Sequence, residues 1–161
     1  MSEYIKVDGH DLYCYEWENE GEAVVLLHGG LSQTAHWAAN IVPALEDYHV
    51  FAYDRSSHGF TAYREESINF KYQLREAIAY LETVVKEPAH IIGWSDGGII
   101  GMMIAIERPE LVKSLVLIGA NYHYNGTLSE FEMGEISEER NQRIPGLFLH
   151  VRRSPHPRYH G

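Results

Sequence analysis

The hexapeptide Gly93-Trp94-Ser95-Asp96-Gly97-Gly98 is the stretch of this chain best suited to chemistry. It follows the apolar run Ala89-His90-Ile91-Ile92 and precedes Ile99-Ile100-Gly101-Met102-Met103-Ile104-Ala105-Ile106, which reads as strand, tight turn, helix. The turn has the pattern G-x-S-x-G with Ser95 at its apex. A serine on so sharp a turn has a strained backbone, and side chains two residues before or after it would collide. Gly93 and Gly97 carry none. The helix that follows aims its N-terminal amides at the space above Ser95, where negative charge is favoured. Ser95 is therefore the candidate nucleophile for attack on a carbonyl carbon.

Other segments agree with this one. Ala23-Val24-Val25-Leu26-Leu27 is a buried-strand run that leads into His28-Gly29-Gly30-Leu31. Ala52-Tyr53-Asp54-Arg55-Ser56-Ser57-His58-Gly59-Phe60-Thr61 is similar to a D-x-R-G-x-G-x-S turn, and Leu115-Val116-Leu117-Ile118-Gly119-Ala120-Asn121 to a strand that follows the elbow helix. On these motifs, from about Tyr4 to about Asn125, the chain resembles the α/β-hydrolase family. The likeness is to its small serine-esterase branch, valacyclovir-hydrolase-like, with a G-W-S-D-G-G elbow. The resemblance implies that the backbone N–H of Gly30 and that of Asp96 form an oxyanion hole above Ser95. It implies hydrolysis of a small-molecule ester or related acyl substrate, with no cofactor. Ser56 and Ser57 stand where the family has Arg-Gly, so that turn is expected to be less tight.

Composition narrows the classes. A chain of 161 residues with 45% hydrophobic residues supports one domain with a real core. The net charge of −10 argues against a nucleic-acid or anionic-membrane partner. The single cysteine, Cys14, excludes an internal disulfide and fits a reducing, cytoplasmic location. Met1-Ser2-Glu3-Tyr4 has neither the basic nor the apolar region of a signal peptide. The longest apolar stretch, around Gly97 to Ile106, is too short to span a bilayer.

The remaining signals alternate. Asp8-Gly9-His10 joins two strand-like runs as a hairpin. Trp37, Ile41 and Leu45 suggest a helix that Pro43 breaks or restarts, and His49 to Tyr53 reads as a strand. Phe70, Leu74, Ile78, Leu81 and Val85 form one helical stripe with Ser67 or Asn69 as N-cap, ended by Pro88. Val112 to Ile118 is a further strand. The order predicts an α/β fold: an incomplete α/β-hydrolase core, a mostly parallel, doubly wound sheet with helices on both faces. Gly30, Asp54 and Ser95 then fall at carboxyl ends of strands, where such sheets place their sites.

After residue 125 the character changes. Residues 1–125 read as the N-terminal part of the hydrolase core and 126–161 as an irregular, disordered tail. The family's order is serine, then acid, then histidine, and here neither partner is found; the chain reads as truncated after the Val112–Ile118 strand. Ile144 to Ser154 is a faint echo of a later strand, with Ser154 where the acid would stand. Of the ten histidines, His28 is expected to brace its loop and His58 to sit in a turn, while His123 is a substitute base if any is. His150, His156 and His160 lack a supporting strand, and no pair has zinc spacing. Asp96 has a second reading, in which its carboxylate favours a cationic substrate. The competing class is a catalytically inactive homologue, a binding or assembly module that retains the elbow. The uncovered edge beyond Val112–Ile118 predicts self-association.

Overall fold

The computed structural model describes residues 1–121. Turn chemistry sets the first contact. β1 (Ser2–Val7) and β2 (His10–Trp17) pair antiparallel with Val7 opposite His10. Between them Asp8 has φ 48° and Gly9 has φ 74°, the left-handed pair that matches the twist of flanking strands. β3 (Ala23–Leu27) is buried at every residue. α1 (Ala35–Asn40) is short, and the chain restarts as a 3-10 turn at Val42–Ala44 that accommodates Pro43. Then come β4 (His49–Asp54), α2 (Phe70–Tyr80), β5 (Ala89–Trp94), α3 (Asp96–Glu107) and β6 (Val112–Ile118).

The sheet order is β1-β2-β4-β3-β5-β6. β2 runs antiparallel to β4, and β4, β3, β5 and β6 are mutually parallel. From β3 the chain winds first to β4 on one side and later to β5 on the other, so the direction of winding reverses at β3. The crevice beyond the carboxyl ends of β3 and β5 is the switch point where such sheets bind ligands.

Both faces are covered. Val25, Leu27, Phe51, Tyr53 and Ile91 join Tyr80, Leu81, Ile100 and Ile104 in one apolar cluster. Their neighbours Val24, Leu26, Val50 and Ala52 pack with Trp37 in another. The strand's period of two thus divides one continuous apolar run between two layers. Cys14 belongs to the first cluster, and burial pushes its thiol up to about 12. At the β6 edge Val116 and Ile118 are 41% and 40% exposed. Among the described residues no helix is long and apolar enough to cross a membrane.

Some expectations change in detail. Asn69, not Ser67, caps α2, its side chain accepting from the Tyr72 amide at 3.0 Å. The stripe from Phe70 to Val85 is not one α-helix: Leu81–Val85 widens into a π turn, closed by Lys86 at φ 62° before Pro88 is reached. Expectations about the tail, namely its disorder, the Ile144 to Val151 strand, and His123, His150, His156 and His160, lie outside the described residues.

The turn after β4 is tight rather than loosened. The His58 amide donates to Arg55 O at 2.9 Å, and Thr61 N to His58 O at 3.0 Å. Ser57 meets the demand by adopting φ 66° with an exposed side chain. A non-glycine residue there carries about 1–2 kcal/mol of strain, part of which glycine would return as chain entropy. Ser57→Gly is therefore expected to raise the free energy of unfolding by up to ~1 kcal/mol, and Ser57→Val to lower it. Urea titrations of the two variants measure both signs.

Candidate active site

β5 ends at Trp94, and the chain reverses into α3 through one residue. Ser95 has φ 51° and ψ −118°, outside the regions that L-residues prefer. Sterics force the flanking glycines. A Cβ on Gly93 would lie 2.5 Å from Gly97 O, and one on Gly97 would lie 2.0 Å from Leu27 O, at the end of β3. The elbow is tied down on both sides. The Ser95 amide donates to Ile118 O on β6 at 2.9 Å, and Ser95 O accepts from Gly98 N at 2.9 Å and Ile99 N at 3.1 Å to start the helix. Asp96 is the first residue of α3, so its amide is among those with no acceptor inside the helix.

The loop after β3 crosses this elbow. A Cβ on Gly29 would meet the Trp94 ring at 3.1 Å and Ser95 Cβ at 3.3 Å. One on Gly30 would meet Asp96 Oδ2 at 2.5 Å. The fold thus brings Gly30 to Ser95 and Asp96, which lie far from it in sequence.

Buried polar groups hold that loop. His28 is 1% exposed. Its Nε2 accepts from the Arg55 backbone N–H at 3.0 Å. In the neutral ring the proton therefore sits on Nδ1, which donates to Gly29 O at 2.8 Å. Burial, helped by the Arg55 guanidinium, pushes His28 down to about 3. Arg55, also 1% exposed, donates through Nη2 to Gly29 O at 2.7 Å and through Nη1 to Gln73 Oε1. Beside it the Asp54 carboxylate accepts from Thr34 N at 2.8 Å, Phe60 N at 3.0 Å and the Tyr15 hydroxyl at 3.2 Å. Glu76 accepts from Ser56 N at 3.1 Å, from the Ser56 hydroxyl, and from the Tyr72 hydroxyl at 3.1 Å.

His28 braces its loop, as its sequence setting suggested. Arg55, Gln73 and Glu76 join the brace without a signal in the sequence, because nothing local marks a polar or charged residue for burial. Among the described residues no histidine hydrogen-bonds the Ser95 hydroxyl. His36 engages Ser32, His49 engages Glu16, His58 reaches Ser56 O and His10 reaches Ala62 O. Nor do the described residues contain a His, Cys, Asp and Glu group placed to hold a metal ion.

Known proteins resemble this chain in sequence and in fold. In Acinetobacter baylyi, (E)-2-((N-methylformamido)methylene)succinate hydrolase is 26% identical over 122 residues, covering 76% of this chain and 46% of the relative. Monoglyceride lipase of Mus musculus is 28% identical over 124 residues, covering 71% and 41%. Among solved structures, a meta-cleavage product hydrolase from Pseudomonas fluorescens IP01 superposes with a TM-score of 0.68 at 30% identity, covering 74% of this chain and 45% of that one. The chain spans less than half the length of the curated relatives it matches. A family profile described as the alpha/beta hydrolase fold matches residues 22–158, most of the sequence. With a strand, one-residue turn and helix set at the switch point of a mostly parallel sheet, the chain belongs to the alpha/beta hydrolase fold family.

Proposed function

We propose that the protein is a serine hydrolase acting on esters or related acyl compounds, with Ser95 as nucleophile. The observation that carries this reading is the Ser95 backbone, held at φ 51° and ψ −118° between β5 and α3. That geometry puts Ser95 at the apex of the turn, in neither element, where the Gly29-Gly30 loop passes close to Ser95 and Asp96. The Gly30 and Asp96 amides would hold the oxygen of the tetrahedral intermediate, and the start of α3 would add its dipole to theirs. The relatives named a hydrolase and a lipase support the reading as far as hydrolysis.

A second reading rests on one specific observation. Among the described residues no base touches Ser95, and a serine hydroxyl without one is a weak nucleophile. The protein would then be an inactive homologue that keeps the elbow as part of a binding or assembly surface. Removing a triad's base can cost about 10⁶ in turnover, leaving roughly 10³–10⁴ over water from the oxyanion hole and binding.

Covalent labelling separates the readings. Ser95 is expected to form an adduct with a fluorophosphonate, located by peptide mass mapping and absent from Ser95→Ala. A folded chain in which Ser95 stays unmodified at high reagent concentration supports the binding module instead. Ester turnover by this chain alone is expected to stay within about 10³–10⁴ over water.

The brace beneath the loop predicts acid sensitivity. In the unfolded chain His28 regains an ordinary value near 6.5, whereas in the folded protein it is about 3. Between these values the unfolded state binds the extra proton. Stability is then fully present above about pH 6.5 and falls, by up to ~1.4 kcal/mol per pH unit, as pH drops toward 3. Denaturant midpoints from pH 7 to pH 4 should show this slope, and it should shrink in His28→Gln.

A further inference from the structure

At the opposite end of the sheet from Ser95, three residues outside the elbow meet in another arrangement suited to chemistry. Ser114 on β6 lies opposite His90 on β5, and their side chains meet at 2.7 Å between Oγ and Nδ1. The other ring nitrogen, Nε2, lies 3.2 Å from Oε2 of Glu22, the residue before β3. Four residues of β5 lie between His90 and Ser95, a separation of about 16 Å.

The alignment depends on an irregularity of the sheet. Ala89 pairs with Val112, yet the next residue, His90, pairs with Ser114. β6 advances two residues where β5 advances one. Such a bulge re-aims side chains, and in a parallel ladder it is uncommon. In regular register His90 would face Lys113. The bulge presents Ser114 to the ring and leaves Lys113 to reach Glu22 Oε1 at 2.8 Å. Glu22 is anchored through its backbone, its carbonyl accepting from His49 N at 3.1 Å. The Tyr48 ring stands edge-on to the imidazole, with centroids 6.0 Å apart.

Proton positions follow from the partners. A carboxylate only accepts, so Glu22 fixes the His90 proton on Nε2. In the neutral ring Nδ1 is then the acceptor, and the Ser114 hydroxyl must donate to it. Lys113 and His90 together hold Glu22 below the usual carboxylate range, so it is ionised at neutral pH. This is the logic of an activated serine: nucleophile, base, and an acid that orients the base. The roles of the two ring nitrogens are exchanged relative to the familiar triad, which leaves the proton transfer intact.

We propose that Ser114, with His90 as general base and Glu22 as the group that orients it, is a second acyl-accepting serine on this protein, reactive toward small activated acyl esters. Ser114 Oγ forms a bond to the carbonyl carbon while its proton passes to His90 Nδ1. The bond from that carbon to the leaving oxygen breaks, and His90 returns the proton to the departing alcohol or phenol. The product is O-acyl Ser114. The described residues supply no pair of amides converging beside Ser114. The acceleration is therefore that of general-base catalysis alone, about 10²–10⁴-fold. Small aryl esters and thioesters, whose leaving groups need little help, are the class such a site takes.

The test uses the intact chain and p-nitrophenyl acetate. After acid quenching and digestion, mass spectrometry quantifies acetyl groups on Ser114 and on Ser95 separately. Ser114 is expected to be acetylated at least ~10²-fold faster in the folded chain than in urea. His90→Gln should bring it to the unfolded rate, and Glu22→Gln should lower it several-fold. Glu22 is 61% exposed at its side chain, so its replacement leaves the fold intact and keeps the test meaningful if His90→Gln misfolds. Equal acetylation of folded and unfolded chains, acetylation confined to Ser95, or a rate indifferent to both substitutions would overturn the proposal.

Discussion

Gly97 lies so close to the carbonyl of Leu27 that no side-chain carbon could fit between them. The rest of the candidate site depends on this contact. It presses the start of α3 against the end of β3, and so brings the loop at Gly29 and Gly30 across Ser95. The strain at Ser95, of order 1–3 kcal/mol, persists because its surroundings over-determine it. α3 is apolar on all sides, with Ile99, Ile100, Ile104 and Ala105 buried. Burial of each isoleucine contributes about 1.5–3 kcal/mol, which more than offsets the turn. The elbow is held in place by a helix that has nowhere else to go.

The second requirement is polar. A buried loop exposes its amides and carbonyls to a low dielectric, and each needs a partner. Asp54, His28 and Arg55 supply them, since the Asp54 carboxylate alone takes up the amides of Thr34 and Phe60. The arrangement is incomplete in one respect. Arg55 Nε has no partner among the described residues. A buried network that leaves one donor unmet is more sensitive to change than an apolar core of equal size.

Much of this architecture could be read from residue order. The apolar runs at Ala23 to Leu27 and Ala89 to Ile92 became central strands, and Asp8-Gly9 became the hairpin turn. The glycines about Ser95 announced their elbow, since few other reasons place small residues on both sides of a serine there. Other features have no local signature. The π turn at Leu81–Val85 breaks no periodicity, and Ser57 takes a left-handed conformation that a serine does not advertise. The contact between Glu22 and His90 spans 68 residues and exists only because β3 and β5 are neighbours. Pairing register is a property of the sheet, and the one-residue slip opposite Lys113 could not be seen from either strand alone.

Cys14 gives the molecule a built-in clock. Its thiol is sealed beneath the first two strands at 4% exposure, and burial suppresses the thiolate that alkylating reagents require. Reaction with iodoacetamide must therefore wait until β2 comes away from the layer beneath it. Since β2 joins the outer hairpin to β4, that event measures how often the antiparallel margin detaches while the parallel centre stays closed. Where reclosing is faster than alkylation, the rate reads the fraction of molecules in which this margin stands open, without a probe being added to the chain.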